Sequence, residues 1–179
     1  MSIVLTLKEQ CSLGFTGRVN VLLRDNSQFV GEILIKEGLL VSARYNSASG
    51  LNSLYRIVFD DIESDNKLKT IVEPEIVDSA SIQFQIEFSS FKKEAEKKIN
   101  THRDSKSLRP PDNLILKIKP DFIKNGEQLS LNEFEILCTL VGKRTVGELY
   151  DSSPLLESEI TKGLVSLRRK NAFLVKKNN

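Results

Sequence analysis

The stretch from Phe91 to Asp112 constrains this chain more than any other. It is poor in apolar residues, carries seven basic and four acidic side chains, and ends in Pro110-Pro111. Such a segment has too few apolar side chains to furnish a core of its own, and the proline pair stops regular structure. The chain on either side therefore has to build two separate cores. The reading is a first domain over residues 1–90, a charged linker over 91–112 that is helical in its first half, and a second domain over 113–179. Charge divides along the same lines, with net −4, +3 and +3 in the three segments. Over all 179 residues, 26 basic side chains face 24 acidic ones, a net charge of +2 that excludes the composition of a general polyanion binder. No apolar run approaches the ~18 residues of a membrane span. Met1 to Glu9 lacks a basic stretch followed by a long apolar one. The expectation is a cytoplasmic protein with no membrane insertion. No internal repeat is apparent.

In the first domain, Thr6-Leu7-Lys8-Glu9 has the capping-box pattern of a short helix ending near Leu13. Thr16 to Leu23, Gln28 to Ile35 and Leu39 to Tyr45 alternate and are joined by Arg24–Ser27 and Lys36-Glu37-Gly38, which predicts an antiparallel meander. Val19, Val21 and Leu23 share one face, as do Phe29, Ile33 and Ile35. Leu51, Leu54, Tyr55, Val58, Phe59 and Ile62 follow helical spacing and predict a helix covering the sheet. Ile82, Phe84, Ile86 and Phe88 alternate as a half-buried strand. Pro74 weakens a strand over Leu68 to Val77. The fold class is α+β, a small antiparallel sheet with a covering helix.

In the second domain, Leu114–Ile118 reads as a strand. Ser130-Leu131-Asn132-Glu133 and Thr145-Val146-Gly147-Glu148 are capping boxes for two helices, the first with Phe134, Leu137, Cys138 and Val141 inward. Glu157 to Asn171 is a third helix with Ile160, Leu164 and Leu167 inward, and Ala172–Val175 a closing strand. Three short helices with flanking strands predict a winged-helix-like domain, ending before a full wing.

Few residues offer catalytic chemistry. Cys11 and Cys138 are far apart and form no CxxC pair, so each reads as a small buried hydrophobe rather than a zinc ligand. His102 is the one histidine and falls in the segment read as flexible, which cannot hold an imidazole in register. The glycines are scattered, with no phosphate-cradling loop. Asn46 to Gly50 reads as a polar turn. Asp60, Asp61, Glu63 and Asp65 read as a solvated helix end, because the spacing of a hard-cation loop is missing. No catalytic residue, metal or cofactor is expected.

Two stretches resemble known families. Thr16 to Val21, Gly31 to Ala43 and Gly50 to Tyr55 are similar to the PatA N-terminal (PATAN) domain in their strand, hairpin and glycine-to-helix pattern. Leu140 to Leu149, Ser153-Pro154-Leu155 and Leu164 to Lys170 resemble the winged-helix module found downstream of PATAN domains. Together the matches cover about two-thirds of the chain. Asn66 to Ala80 reads as an insertion against that pattern, and the first helix as shorter than usual. The resemblance implies a bacterial, non-enzymatic adaptor in surface motility or two-component signalling, its partner another signalling or motility protein.

Strand alternation places Val30, Leu34 and Leu40 on the sheet face away from the covering helix, with Arg44 and Tyr45 at the rim, and these five are the expected protein-contact residues. The alternative is a DNA-binding regulator, with Arg168, Arg169 and Lys170 on phosphates, joined by Lys143, Arg144, Lys176 and Lys177. It is disfavoured because Glu157, Ser158 and Glu159 open the helix whose first turn would meet the base edges.

Overall fold

The computed structural model describes residues 2–63, 67–142 and 145–177. It divides into two units, Met1–Ile99 and Asn100–Asn179, each a mixture of helices and strands.

In the first unit the order is α1 (Ile3–Ser12), β1 (Gly17–Leu23), β2 (Phe29–Lys36), β3 (Leu39–Tyr45), β4 (Ala48–Ser49), α2 (Leu51–Glu63), β5 (Leu68–Pro74) and the first part of α3 (Phe88–Lys106). The strands form one antiparallel sheet in the order β4-β3-β2-β1-β5. Gly38 makes the β2–β3 turn possible: its φ is +78°, and a Cβ there would lie 2.6 Å from the Cys11 carbonyl oxygen. Val19, Val21, Ile33, Ile35 and Leu40 are wholly buried, as are Ile3, Leu7, Leu54 and Ile57 from the helices.

Several expectations change here. α1 is not capped by Thr6. It begins at Ile3, whose N–H donates to Asp61 Oδ2 at 2.9 Å. Thr6 is buried instead, its hydroxyl 3.2 Å from that of Thr70 on β5. In α2, Ile57 is buried and Ile62 is 44% exposed. Leu54, Tyr55, Val58 and Phe59 of the expected face are buried, and Tyr55 also stacks on Phe91 of α3, centroids 5.2 Å apart. The stretch read as an insertion holds β5, which pairs with β1 along its length. Pro74 closes that edge strand, where a missing N–H leaves no ladder bond unmade. Residues 82–87 keep the half-buried alternation but form only a bridge between Ile86 and Leu40, not a ladder.

The segment read as a linker is helical to Lys106. Phe91, Ala95 and Ile99 recur at i, i+4 and i+8 and are all buried, three apolar residues sufficing for one narrow helical stripe. The unit boundary falls inside this helix. His102 is 6% exposed on it, so it stands on regular structure rather than on a flexible segment.

The second unit holds β6 (Leu114–Ile118), α4 (Pro120–Lys124), α5 (Leu131–Gly142), α6 (Val146–Ser152), α7 (Glu157–Arg169) and β7 (Phe173–Lys177). β6 and β7 pair as an antiparallel ribbon. Both capping boxes form. Ser130 N–H donates to Glu133 Oε2 at 2.7 Å and Thr145 N–H to Glu148 Oε2 at 3.0 Å. The core gathers Ile136, Leu140, Leu149, Ile160, Leu164 and Leu167, with Phe122 from α4, which sequence patterning missed. Gly163 lets α7 approach α5 closely, since a Cβ there would collide with the Ile136 side chain. No helix among the described residues is long and apolar enough to cross a membrane.

Candidate functional site

The five residues expected to form one contact face do not. β2 and β3 each carry one extra residue. Against β1, the register passes from Val21–Gly31 to Leu22–Phe29, leaving Val30 unpaired in the ladder. Between β2 and β3 it passes from Leu34–Ser42 to Ile35–Leu40, leaving Val41 over. Each bulge shifts the side-chain alternation beyond it by one position. Leu40 consequently points into the core and is 0% exposed, so it cannot meet a partner. Leu34 stays on the outer face but is buried in a small cluster with Val41 and Val77. Val30 is half-buried, and Phe29 moves out to 48% exposure.

Arg44 and Tyr45 face opposite ways. Arg44 bonds Glu32 at 3.2 Å and stands 6.0 Å above the Phe29 ring. Arg18 shares the same carboxylate at 3.2 Å and reaches Glu75 at 3.0 Å. Tyr45 donates its hydroxyl to Asp60 Oδ2 of α2 at 2.7 Å. Burial first, then the Asp60 charge, push that phenol well above its ordinary pKa. Arg44 thus belongs to a charged lattice across the outer face, and Tyr45 ties the strand to α2. Asp61 is buried in its bond to α1 rather than solvated, whereas Asp60 is exposed while it accepts from Tyr45; Asp65 lies outside the described residues. Among the described residues no three His, Cys, Asp or Glu side chains are grouped to hold a metal ion.

The second unit is different. α5 is turned from its expected face: Glu133, Ile136, Leu137 and Leu140 point inward. Leu131, Phe134 and Val141 are 85%, 57% and 83% exposed, and Cys138 is exposed among them. Positions 131, 134, 138 and 141 recur at intervals of three and four, so they line one side of the helix. Cys138 is therefore not the buried hydrophobe expected. Cys11 is half-buried, and burial raises its thiol to a pKa of about 11.

The three basic residues of the alternative site also separate. Lys170 donates to Glu133 Oε2 at 2.9 Å and to the Gln128 carbonyl at 2.7 Å. Ser166 donates to the other oxygen, Glu133 Oε1, at 2.7 Å. Burial alone would raise the Glu133 pKa, but Lys170 and the Ser130 and Ser166 donors outweigh it and lower the pKa to about 2. Lys170 is thus an internal clamp between α5 and the end of α7. Arg168, Arg169 and Lys162 make no side-chain hydrogen bond or ion pair among the described residues. Lys143, Arg144 and the Lys177 side chain lie outside the described residues. At the start of α7, Glu157 pairs with Arg109 at 3.1 Å, Ser158 is buried, and Glu159 accepts the Leu156 N–H at 2.9 Å. Arg109 also lies 4.1 Å above the Tyr150 ring.

Beside α7 is a cleft of about 290 Å³. Leu164, Val165 and Arg168 form one wall, Leu114, Leu116, Phe173 and Val175 of the ribbon another, and Leu108 with Pro110 close it. The one charged side chain lining it is Arg168. Sequence patterning missed this cleft because its walls come from separate segments, 108–116 and 164–175, that only the fold brings together. No protein-family profile, curated protein or solved structure matches this chain.

Proposed function

We propose that this chain is a non-enzymatic protein-contact adaptor of the cytoplasm, a PATAN-like unit followed by a winged-helix-like unit, serving bacterial surface motility or two-component signalling. The observation that carries the contact reading is the apolar stripe on α5. Leu131, Phe134 and Val141 stand side by side in solvent on one helix, opposite a face that already fills the core. Contiguous exposed apolar surface of this kind marks contact sites, whereas scattered exposed leucines do not. The signalling assignment rests on the resemblance of the sequence pattern alone. The contact site moves from the first unit, where the sequence placed it, to the second.

Arg168 and Arg169, which make no ion pair among the described residues, favour the DNA-binding alternative as a second reading. Against it stand the two carboxylates in the first turn of α7 and the commitment of Lys170 to Glu133.

Cys138 supplies the test. It is exposed on the stripe, while the Cys11 thiol is half-buried and hard to ionise, so a maleimide photo-crosslinker at neutral pH attaches at Cys138. Crosslinking in cell extract is expected to trap a signalling or motility protein, and Phe134→Glu with Val141→Glu to abolish the product. A product that survives both substitutions, or none above background, counts against the reading.

A further inference from the structure

We propose that the cleft beside α7 docks an acidic amphipathic segment of the partner protein, with one apolar anchor seated in the cleft and carboxylates on Lys162, Arg168 and Arg169. This rests on the protein-contact reading above and gives it a second surface and a partner chemistry. Three observations lead there. The cleft is about 290 Å³ and lined by apolar side chains, with Arg168 as its single charge. It is open on one side: Leu108 and Val175 are 58% and 50% exposed and Arg168 is exposed. A site that encloses most of a small ligand hides its lining from solvent, so an open one suits a side chain presented from a larger surface.

The third observation is charge. Leu164 and Arg168 are one helical turn apart, and so are Val165 and Arg169, while Lys162 precedes Val165 by three positions. These three cations make no ion pair or side-chain hydrogen bond among the described residues. Of the carboxylates in the first turn of α7, Glu157 pairs with Arg109 and Glu159 accepts the Leu156 N–H, at the opposite end of the helix from Arg168 and Arg169. Arg109 and Lys170, by contrast, are both paired internally. An apolar anchor site flanked by uncompensated cations selects a partner with carboxylates beside its anchor. The charges set orientation and encounter rate, and the buried anchor supplies the binding energy.

The test is selection of phage-displayed random peptides on the intact chain, followed by fluorescence anisotropy with the synthetic peptides that emerge. Enriched sequences are expected to carry an aromatic or aliphatic residue flanked by Asp or Glu. Their affinity is expected to fall about tenfold or more with Arg168→Glu plus Arg169→Glu, and again with Val175→Glu, at an unchanged thermal midpoint. If Val175→Glu does not fold, Leu108→Glu, on the side that Leu108 and Pro110 close, replaces it. No enrichment, basic or uncharged winners, or insensitivity to both sets of substitutions overturns the proposal. Peptides that lose binding on Phe134→Glu and not on Val175→Glu overturn the cleft assignment and leave the α5 contact reading standing. A duplex DNA probe that binds more tightly than the peptides at physiological salt, and is released by the arginine substitutions, overturns both in favour of nucleic acid.

Discussion

Glu133 is 3% exposed, a carboxylate shut between two helices and kept charged by the Ser130 N–H, the Ser166 hydroxyl and the Lys170 ammonium. Its pKa is lowered from 4.5 to about 2. A carboxylate with a depressed folded-state pKa contributes stability that is full above its unfolded value and is lost as pH falls through the folded one. The second unit should therefore lose this contribution between about pH 4.5 and 2. Glu133→Gln removes the charge that Lys170 pairs with, while the partly exposed ammonium keeps the Gln128 carbonyl, and is expected to cost about 1.5–3 kcal/mol at pH 7, the range for hydrogen bonds to a charged group. Urea melts of both proteins from pH 7 to 2 check it. The gap between them is expected to narrow on the acid side, and a constant gap would show that the residue acts through packing alone. Lys170 looks no different from Arg168 and Arg169 in sequence. Only its contact with Glu133, 37 positions earlier in the chain, separates a structural cation from two that make no ion pair among the described residues.

The orientation of α5 can be tested at the scale of the element. Phe134→Glu and Val141→Glu are expected to change stability by no more than about 0.5 kcal/mol, as exposed substitutions do. Ile136→Ala and Leu140→Ala are expected to cost about 2–5 kcal/mol. Thermal or urea unfolding of the four variants decides it, and a reversed ranking would restore the face that sequence patterning assigned. That face was illegible because α5 is apolar on both sides: Phe134 and Val141 compete with Ile136 and Leu140, and only the packing of Gly163 and Ser166 from α7 selects between them. What was legible was local. The Ser130–Glu133 and Thr145–Glu148 caps and the meander of β1 to β3 can be read from neighbouring residues, since capping and turn geometry are decided within four positions. The bulges at Val30 and Val41 were not, because a bulge belongs to a pair of strands and neither strand announces it alone. That is why a face built from Val30, Leu34 and Leu40 was expected and does not exist. The cleft was illegible for the same reason at longer range.

At the scale of the whole molecule, the boundary between the units falls within α3. Phe91, Ala95 and Ile99 of α3 are buried within the first unit, and Arg109 just beyond the helix pairs with Glu157 of the second. A fragment of residues 1–90 is expected to be less stable than one of residues 1–106 by roughly 3–5 kcal/mol, the cost of losing a buried phenylalanine, and so to melt at a lower temperature. Calorimetry of the two fragments checks it, and equal midpoints would show α3 to be dispensable to the first unit. The stretch that looks in sequence like the natural place to part the chain thus contributes Phe91 to Ile99 to the first unit and Arg109 to the second. For inheritance this matters. A crossover at residue 90 would deliver the first half without its Phe91 lid, and one at residue 112 would deliver the second without the Arg109 clasp. The first half can therefore be transplanted into a new gene only with α3 attached through Ile99, and the second only if it begins at or before Arg109.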